Sequence, residues 1–360
     1  MDTVQTGKKT VYFEVLRILA VLAVIFIHTG DWGYSLFTQR TFGGTLYFVD
    51  LALSIFSRFC VPVFFAISGA LLLHKNEPLK DVWKRVLRMI LVLFLVSLLY
   101  WFEYLSQNNA KFKFMAFFHK AYYDQTRYHL WFLYSYIAFL ITLPLLRALA
   151  QHLETKYFYY LIGLEILFDG IIPILDYRTT VGEFPLNPSA IPSWMFEQIF
   201  ICPLIGYFLH RRMDRPTAKK LIFPLWVANL AGLAACCYMT WFKSRLTGFG
   251  GGEAPSSFHF CFAILNCVTL FLTARVLLEN ASLPKGLETV LIACGSCVFG
   301  IYLFHMYFLR QPWIEAIWLN LTKTGVSPMI AVILMTLCIF FVSGAVTFVL
   351  KKIPLVRDLL

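Results

Sequence analysis

Long apolar runs separated by short basic connections set the pattern of this chain from near its start to near its end. Runs of about 20 mostly apolar residues, wound as α-helices, cross the hydrocarbon core of a bilayer. Ten spans are predicted, at residues 12–30, 46–73, 88–106, 129–147, 157–175, 192–210, 221–242, 258–278, 287–309 and 327–350. The second is long enough to tilt or to carry an interfacial stub. Residues 107–128 mix basic and aromatic positions (Lys111, Phe112, Lys113, Phe114, His119, Lys120, Tyr122, Tyr123), which suits a segment lying in the headgroup layer. Residues 176–191, with Asp176, Arg178 and Glu183, read as an irregular loop. The glycines from Gly248 to Gly252 read as a flexible connection within 243–257, since neither a strand nor a lysine-serine ending accompanies them.

The predicted fold class is therefore an all-α polytopic membrane protein, a bundle of about ten transmembrane helices. A single integral-membrane domain is expected over 1–360, with core motifs in 12–350 and no appended soluble domain. The first run lacks a small-residue cleavage site and reads as a span rather than a removable signal.

Composition agrees with this pattern. Hydrophobic residues make up 59% of the chain and charged residues 14%, more apolar surface than a soluble protein of 360 residues would carry. Nineteen of the 31 lysines and arginines fall in alternate connections on the side of the N-terminus, which predicts both termini in the cytoplasm. The net charge of +11 is then largely a topology signal and calls for no nucleic acid. All nine cysteines lie in apolar stretches and suggest no disulfide framework. Cys294-Gly-Ser-Cys297 has redox spacing, but inside a span it reads as small-residue helix packing.

Charge inside spans is where chemistry enters the picture. The first span holds Glu14, Arg17 and His28. Arg17 and His28 are eleven residues apart, so on a helix they differ by only about 20° in azimuth and lie about 16 Å apart along the axis. Ionisable groups at bilayer depth are costly unless paired or hydrated and are functional candidates by default. Glu14 and Arg17, at i and i+3, can pair, and a neutral imidazole at His28 can act as a general base. The plainer reading is a structural ion pair and an interfacial histidine beside Trp32.

Further candidates are Ser68 in Val61-Pro-Val-Phe-Phe-Ala-Ile-Ser-Gly69, Arg85 and Arg88 at the mouth of the third span, His129 and Trp131, and Tyr302 with His305. Guanidinium forks at i and i+3 suit phosphates, although positive-inside anchoring also accounts for Arg85 and Arg88. By spacing alone Ser68-Gly69 reads as close packing, and His129-Leu-Trp131 as an aromatic belt. No metal-binding motif and no nucleophile elbow is present in the sequence, so the expected metal set is none.

Taken in order, these blocks resemble the membrane acyltransferase 3 family. The resemblance rests on Arg17-x10-His28 with an acid three residues before the arginine, Pro62 to Gly69, Arg85-x-x-Arg88, His129-Leu-Trp-Phe-Leu133, and Ser296-x5-Tyr302-Leu-x-His305. The compact layout is similar to the branch that O-acetylates sugars of enterobacterial common antigen. Glu14 stands where an aspartate is common in the family.

The resemblance implies an acyltransferase moving an acyl group, usually acetyl, from cytoplasmic acyl-CoA to a hydroxyl of a cell-envelope carbohydrate. It implies His28, Arg17 and Glu14 as catalytic residues, Arg85 and Arg88 as donor-phosphate contacts, and Ser68, His129, Trp131, Tyr302 and His305 as substrate-positioning residues. No permanently bound cofactor is implied, with acetyl-CoA or another acyl-CoA as co-substrate. The partners implied are acyl-CoA, a carbohydrate or lipid-linked sugar acceptor and membrane lipid. A bacterial inner membrane is the implied location, and a homo-oligomer is compatible with it. Direct transfer and an acyl-histidine relay both remain open. The alternative reading is a small-solute transporter or uptake module in which Arg17, Arg58 and His28 line a path through the same scaffold, although no inverted repeat is evident.

Overall fold

The computed structural model describes residues 11–172, 197–247 and 256–360. Among them every regular element is helical. In hydrocarbon each backbone N–H and C=O needs an internal partner, and a helix supplies those partners within one segment. The helices are α1 (Val11–Ile27), α2 (Thr45–Phe56), α3 (Cys60–Leu72), α4 (Leu79–Gln107), α5 (Phe114–Tyr123), α6 (Trp131–His152) and α7 (Thr155–Glu165). They continue as α8 (Gln198–Tyr207), α9 (Arg215–Thr247), α10 (Ser256–Leu278), α11 (Lys285–Leu309), α12 (Pro312–Lys323), α13 (Pro328–Leu350) and α14 (Pro354–Arg357).

Among the described residues, six helical stretches are long and apolar enough to cross a membrane: Thr45–Leu72, Leu79–Gln107, Tyr128–His152, Arg215–Arg245, Lys285–Leu309 and Pro328–Leu350. The first of them is not one straight span. A single 3₁₀ turn at Ser57–Phe59 joins α2 to α3 and places Arg58 at the joint. The stretches predicted at 157–175 and 192–210 are also irregular, each passing from an α-helix into a π-helical segment, at Ile166–Ile171 and Phe208–Arg212. A π turn leaves carbonyls without their usual partners. At the second, Arg275 supplies donors, its Nη1 reaching the carbonyls of Leu209 and, at 2.9 Å, Met213. The loop predicted at 176–191 and the glycines of 248–252 lie outside the described residues.

One expectation for the connections changes. Lys243 and Arg245, which fall in the connection predicted at 243–257, belong to α9, which runs to Thr247. The Arg245 guanidinium lies 5.6 Å from the Trp241 ring, so the charge travels along the helix surface instead of ending the helix. Within residues 107–128, Phe114–Tyr123 forms the short helix α5, with Phe117 buried and Tyr122 and Tyr123 exposed, as a helix lying on the bundle surface requires.

α1 occupies the middle of the bundle and packs on α3, α10, α11 and α13. The tightest crossing is α3 on α8. A Cβ on Gly69 would overlap the Pro203 backbone, and one on Gly206 would overlap the Ala66 backbone. The two helices therefore meet main chain to main chain, which small residues permit.

Candidate active site

The end of α1 is built by short-range hydrogen bonds. Thr29 Oγ1 donates to the Phe26 carbonyl at 2.6 Å and accepts the Tyr34 N–H at 3.1 Å. Gly30, at φ +55°, then turns the chain away, a conformation that suits glycine. His28 is thereby left one residue past the last helical turn, half-buried on the rim of a cavity of about 300 Å³. This cavity is also lined by Tyr34, Arg58, His129, Trp131 and Gln198.

Three imidazoles meet here. The His28 ring centroid is 5.2 Å from that of His305 and 6.2 Å from that of His129, and the latter two are 5.1 Å apart. His129 is fully buried rather than placed in an interfacial belt. Its carbonyl accepts the Tyr302 hydroxyl at 2.7 Å, and the Tyr100 ring stands edge-on at 5.1 Å. The belt reading failed because Tyr100 and Tyr302, on other helices, cover a position that sequence alone places at a helix start.

His305 is fully buried and lines neither cavity; it backs His28. Its Nδ1 lies 2.7 Å from the Tyr302 carbonyl, which can only accept, so Nδ1 carries the proton. Nε2 then holds the lone pair, and it has no partner among the described residues. The described residues contain no group of three His, Cys, Asp or Glu side chains arranged to hold a metal ion.

At the other end of α1 lies a second cavity, of about 590 Å³, lined by Arg17, Ser68, Arg85, Arg88, Tyr136 and Lys351 among others. Arg17 Nη1 donates to Glu14 Oε1 at 2.7 Å. Glu14 is buried against Gly295, where any Cβ would collide with the carboxylate. The small-residue reading of Cys294 to Cys297 thus has a specific purpose: Gly295 makes room for the acid that orients Arg17. Ser68 Oγ donates back to the Phe64 carbonyl at 2.8 Å.

Arg85 Nη2 donates to Glu77 Oε1 at 2.7 Å, and Arg147 Nη2 to Glu77 Oε2 at 2.9 Å. Burial pushes the Glu77 carboxyl up, but the Arg147 hydrogen bond and the charges of Arg85, Arg147 and Lys75 outweigh it and hold its pKa below the ordinary value. Arg88, the other half of the predicted pair, has no ion-pair partner among the described residues and lines the cavity directly. Lys351, which the sequence offers only as a topology charge, also faces this cavity and donates to the Ser296 carbonyl at 2.6 Å.

The two cavities share three lining residues, Phe64, Phe132 and Tyr302. The Phe132 centroid lies 5.8 Å from that of Phe64 and 5.4 Å from that of Tyr302. One layer of rings therefore separates a guanidinium-lined chamber from an imidazole-lined one. Arg17 and His28, predicted on one stripe, line different chambers on either side of that layer.

A family model described as an acyltransferase domain matches residues 10–351 of the chain. No curated protein and no solved structure matches it.

Proposed function

Starting from the chain's membership of the acyltransferase 3 family, we propose that this multi-pass membrane acyltransferase takes an acetyl group from acyl-CoA in its arginine-lined cavity. It delivers the group to a hydroxyl held in its histidine-lined cavity. The observation that carries this reading is the pair of chemically distinct cavities meeting at Phe64, Phe132 and Tyr302. Arg17, Arg85, Arg88 and Lys351 surround one cavity with positive charge suited to the donor's phosphates. His28 borders the other, where a general base belongs.

In the proposed step, His28 takes the proton of the acceptor hydroxyl as its oxygen attacks the thioester carbonyl. The C–S bond breaks, and the CoA thiolate leaves on the arginine side, where it takes up a proton. Arg17, fixed by Glu14, orients the donor or meets the negative charge developing on the carbonyl oxygen. His305, fixed through Tyr302, and His129 position His28, while Ser68 and Trp131 border the donor and acceptor respectively. The acceptor class is a cell-envelope or lipid-linked carbohydrate, as in the sugar O-acetyltransferase branch. The arrangement in the membrane is ten spans with both termini cytoplasmic, in a bacterial inner membrane, with the arginine cavity facing the cytoplasmic acyl-CoA pool.

Purified protein in lipid nanodiscs, given radiolabelled acetyl-CoA, tests the assignment. Saturable binding should weaken at least tenfold in the Arg85→Ala/Arg88→Ala double variant. His28→Ala should keep binding and lose transfer by about 10²- to 10⁴-fold. Wild-type protein that binds no acyl-CoA would overturn the reading, and label trapped covalently without acceptor would replace direct transfer by an acyl-enzyme relay.

A further inference from the structure

Arg58 stands apart from the other sheltered arginines. Arg17, Arg40, Arg85, Arg127, Arg147 and Arg275 each have a carboxylate oxygen within 3.2 Å. For Arg58 no carboxylate lies within ion-pair reach among the described residues. Its Nε donates to the Tyr34 hydroxyl at 2.6 Å, and its guanidinium carbon lies 5.6 Å from the centre of that ring. The Tyr34 contact fixes the plane of the fork and leaves both Nη groups without a hydrogen-bond partner among the described residues. The side chain lines the histidine cavity, together with His28 and Trp131. A cation inside a membrane bundle is costly unless paired or hydrated, and a planar fork recognises carboxylate and phosphate bidentately.

We infer that Arg58 is the anion-recognition residue of the acceptor pocket, so that the acceptor carries a carboxylate or phosphate group beside the hydroxyl that is acylated. This inference rests on the reading of the histidine cavity as the acceptor site. The cavity, at about 300 Å³, is at the lower end of the range for ligand pockets and matches one sugar-sized unit. An acidic sugar would supply the anion as a carboxylate, and a lipid-linked or phosphorylated sugar as a phosphate. Trp131 offers an apolar face for the ring of either.

The test uses full-length protein in membranes from the source cell, labelled with radioactive acetyl-CoA, and reads the charge of the product. The labelled product should be retained on an anion exchanger. Retention abolished by carbodiimide-coupled amidation identifies a carboxylate, and retention abolished by phosphatase or mild acid identifies a phosphate. Arg58→Gln should lower kcat/KM for acceptor by about 10- to 100-fold with donor KM unchanged, and Arg58→Lys should recover part of the loss. A labelled product that is neutral, or a Gln variant equal to wild type, would overturn the inference while leaving the transferase reading intact. Absence of any labelled product from wild type would remove the transferase reading instead. The anion site is then decided by thermal shift with glucuronate and with inorganic phosphate as probes: stabilisation of wild type but not of Arg58→Gln supports it, and stabilisation of neither overturns it.

Discussion

Glu77 ties together two cations that the sequence keeps far apart. Its carboxylate meets Arg85, eight residues away, and Arg147, seventy residues away. Arg147 is nearly buried, and its Nε also donates to the Leu72 carbonyl at 2.9 Å, so it cannot turn to water when Glu77 is lost. Glu77→Gln should destabilise the protein by about 1–3 kcal/mol, the range for leaving a buried polar group unsatisfied. It should also raise donor KM by freeing Arg85. The pH dependence follows from the depressed carboxyl. Its stabilisation is present in full above the ordinary value of 4.5 and is lost as pH falls through the lower folded-state value. Melting temperatures of wild type and variant should accordingly differ at pH 7 and converge once the pH has fallen below the folded-state value; a gap that persists there would mean that charge is not the cause. Nothing in the local sequence around Glu77 announces this role, because both arginines read equally well as membrane anchors. Glu14 and Arg17 were legible, since three residues on a helix suffice to bring them together.

For the helices, legibility follows the range of the interactions that end them. The spans at 287–309 and 327–350 match α11 and α13 closely, because hydropathy and flanking polar residues set both ends. The break between α2 and α3, and the π segments after α7 and α8, depend on what packs across them and leave no mark in hydropathy. Ser68-Gly69 reads in sequence as a packing site, and its partner on α8 is visible only in three dimensions. Gly206→Ala should force α3 and α8 apart, costing about 1–3 kcal/mol or more, because the obstructing atoms are main chain and cannot rotate away. Gly163→Ala on α7, where a Cβ meets nothing within 4 Å, is the matched control and should leave the melting temperature within error or slightly raised. Equal losses in the two variants would mean that helix flexibility, not the crossing, is being measured.

In the molecule as a whole, the ordered motif blocks carried the family, and the family match from residue 10 to 351 agrees with them. They did not carry the arrangement of cavities. Tyr302 bonding to the His129 carbonyl joins positions 173 residues apart, and no periodicity in either helix foretells it. The layer of Phe64, Phe132 and Tyr302 has a consequence of an electrical kind. In the proposed topology, polar chambers approaching from both faces thin the low-dielectric barrier to about one ring, so that the transmembrane voltage falls mainly across that layer. In the proposed reaction the hydroxyl's proton is released on the histidine side, while the negative charge it leaves passes to the thiolate on the arginine side, so one negative charge crosses the layer at about 2.3 kcal/mol per 100 mV. In sealed proteoliposomes, turnover should fall several-fold when the arginine side is made negative by a potassium gradient with valinomycin, and recover when a protonophore collapses the potential. A rate indifferent to voltage would mean that the hydroxyl's own proton crosses the layer and protonates the thiolate. Otherwise acyl transfer in this protein is an electrogenic reaction, driven by the thioester against the cell's membrane potential.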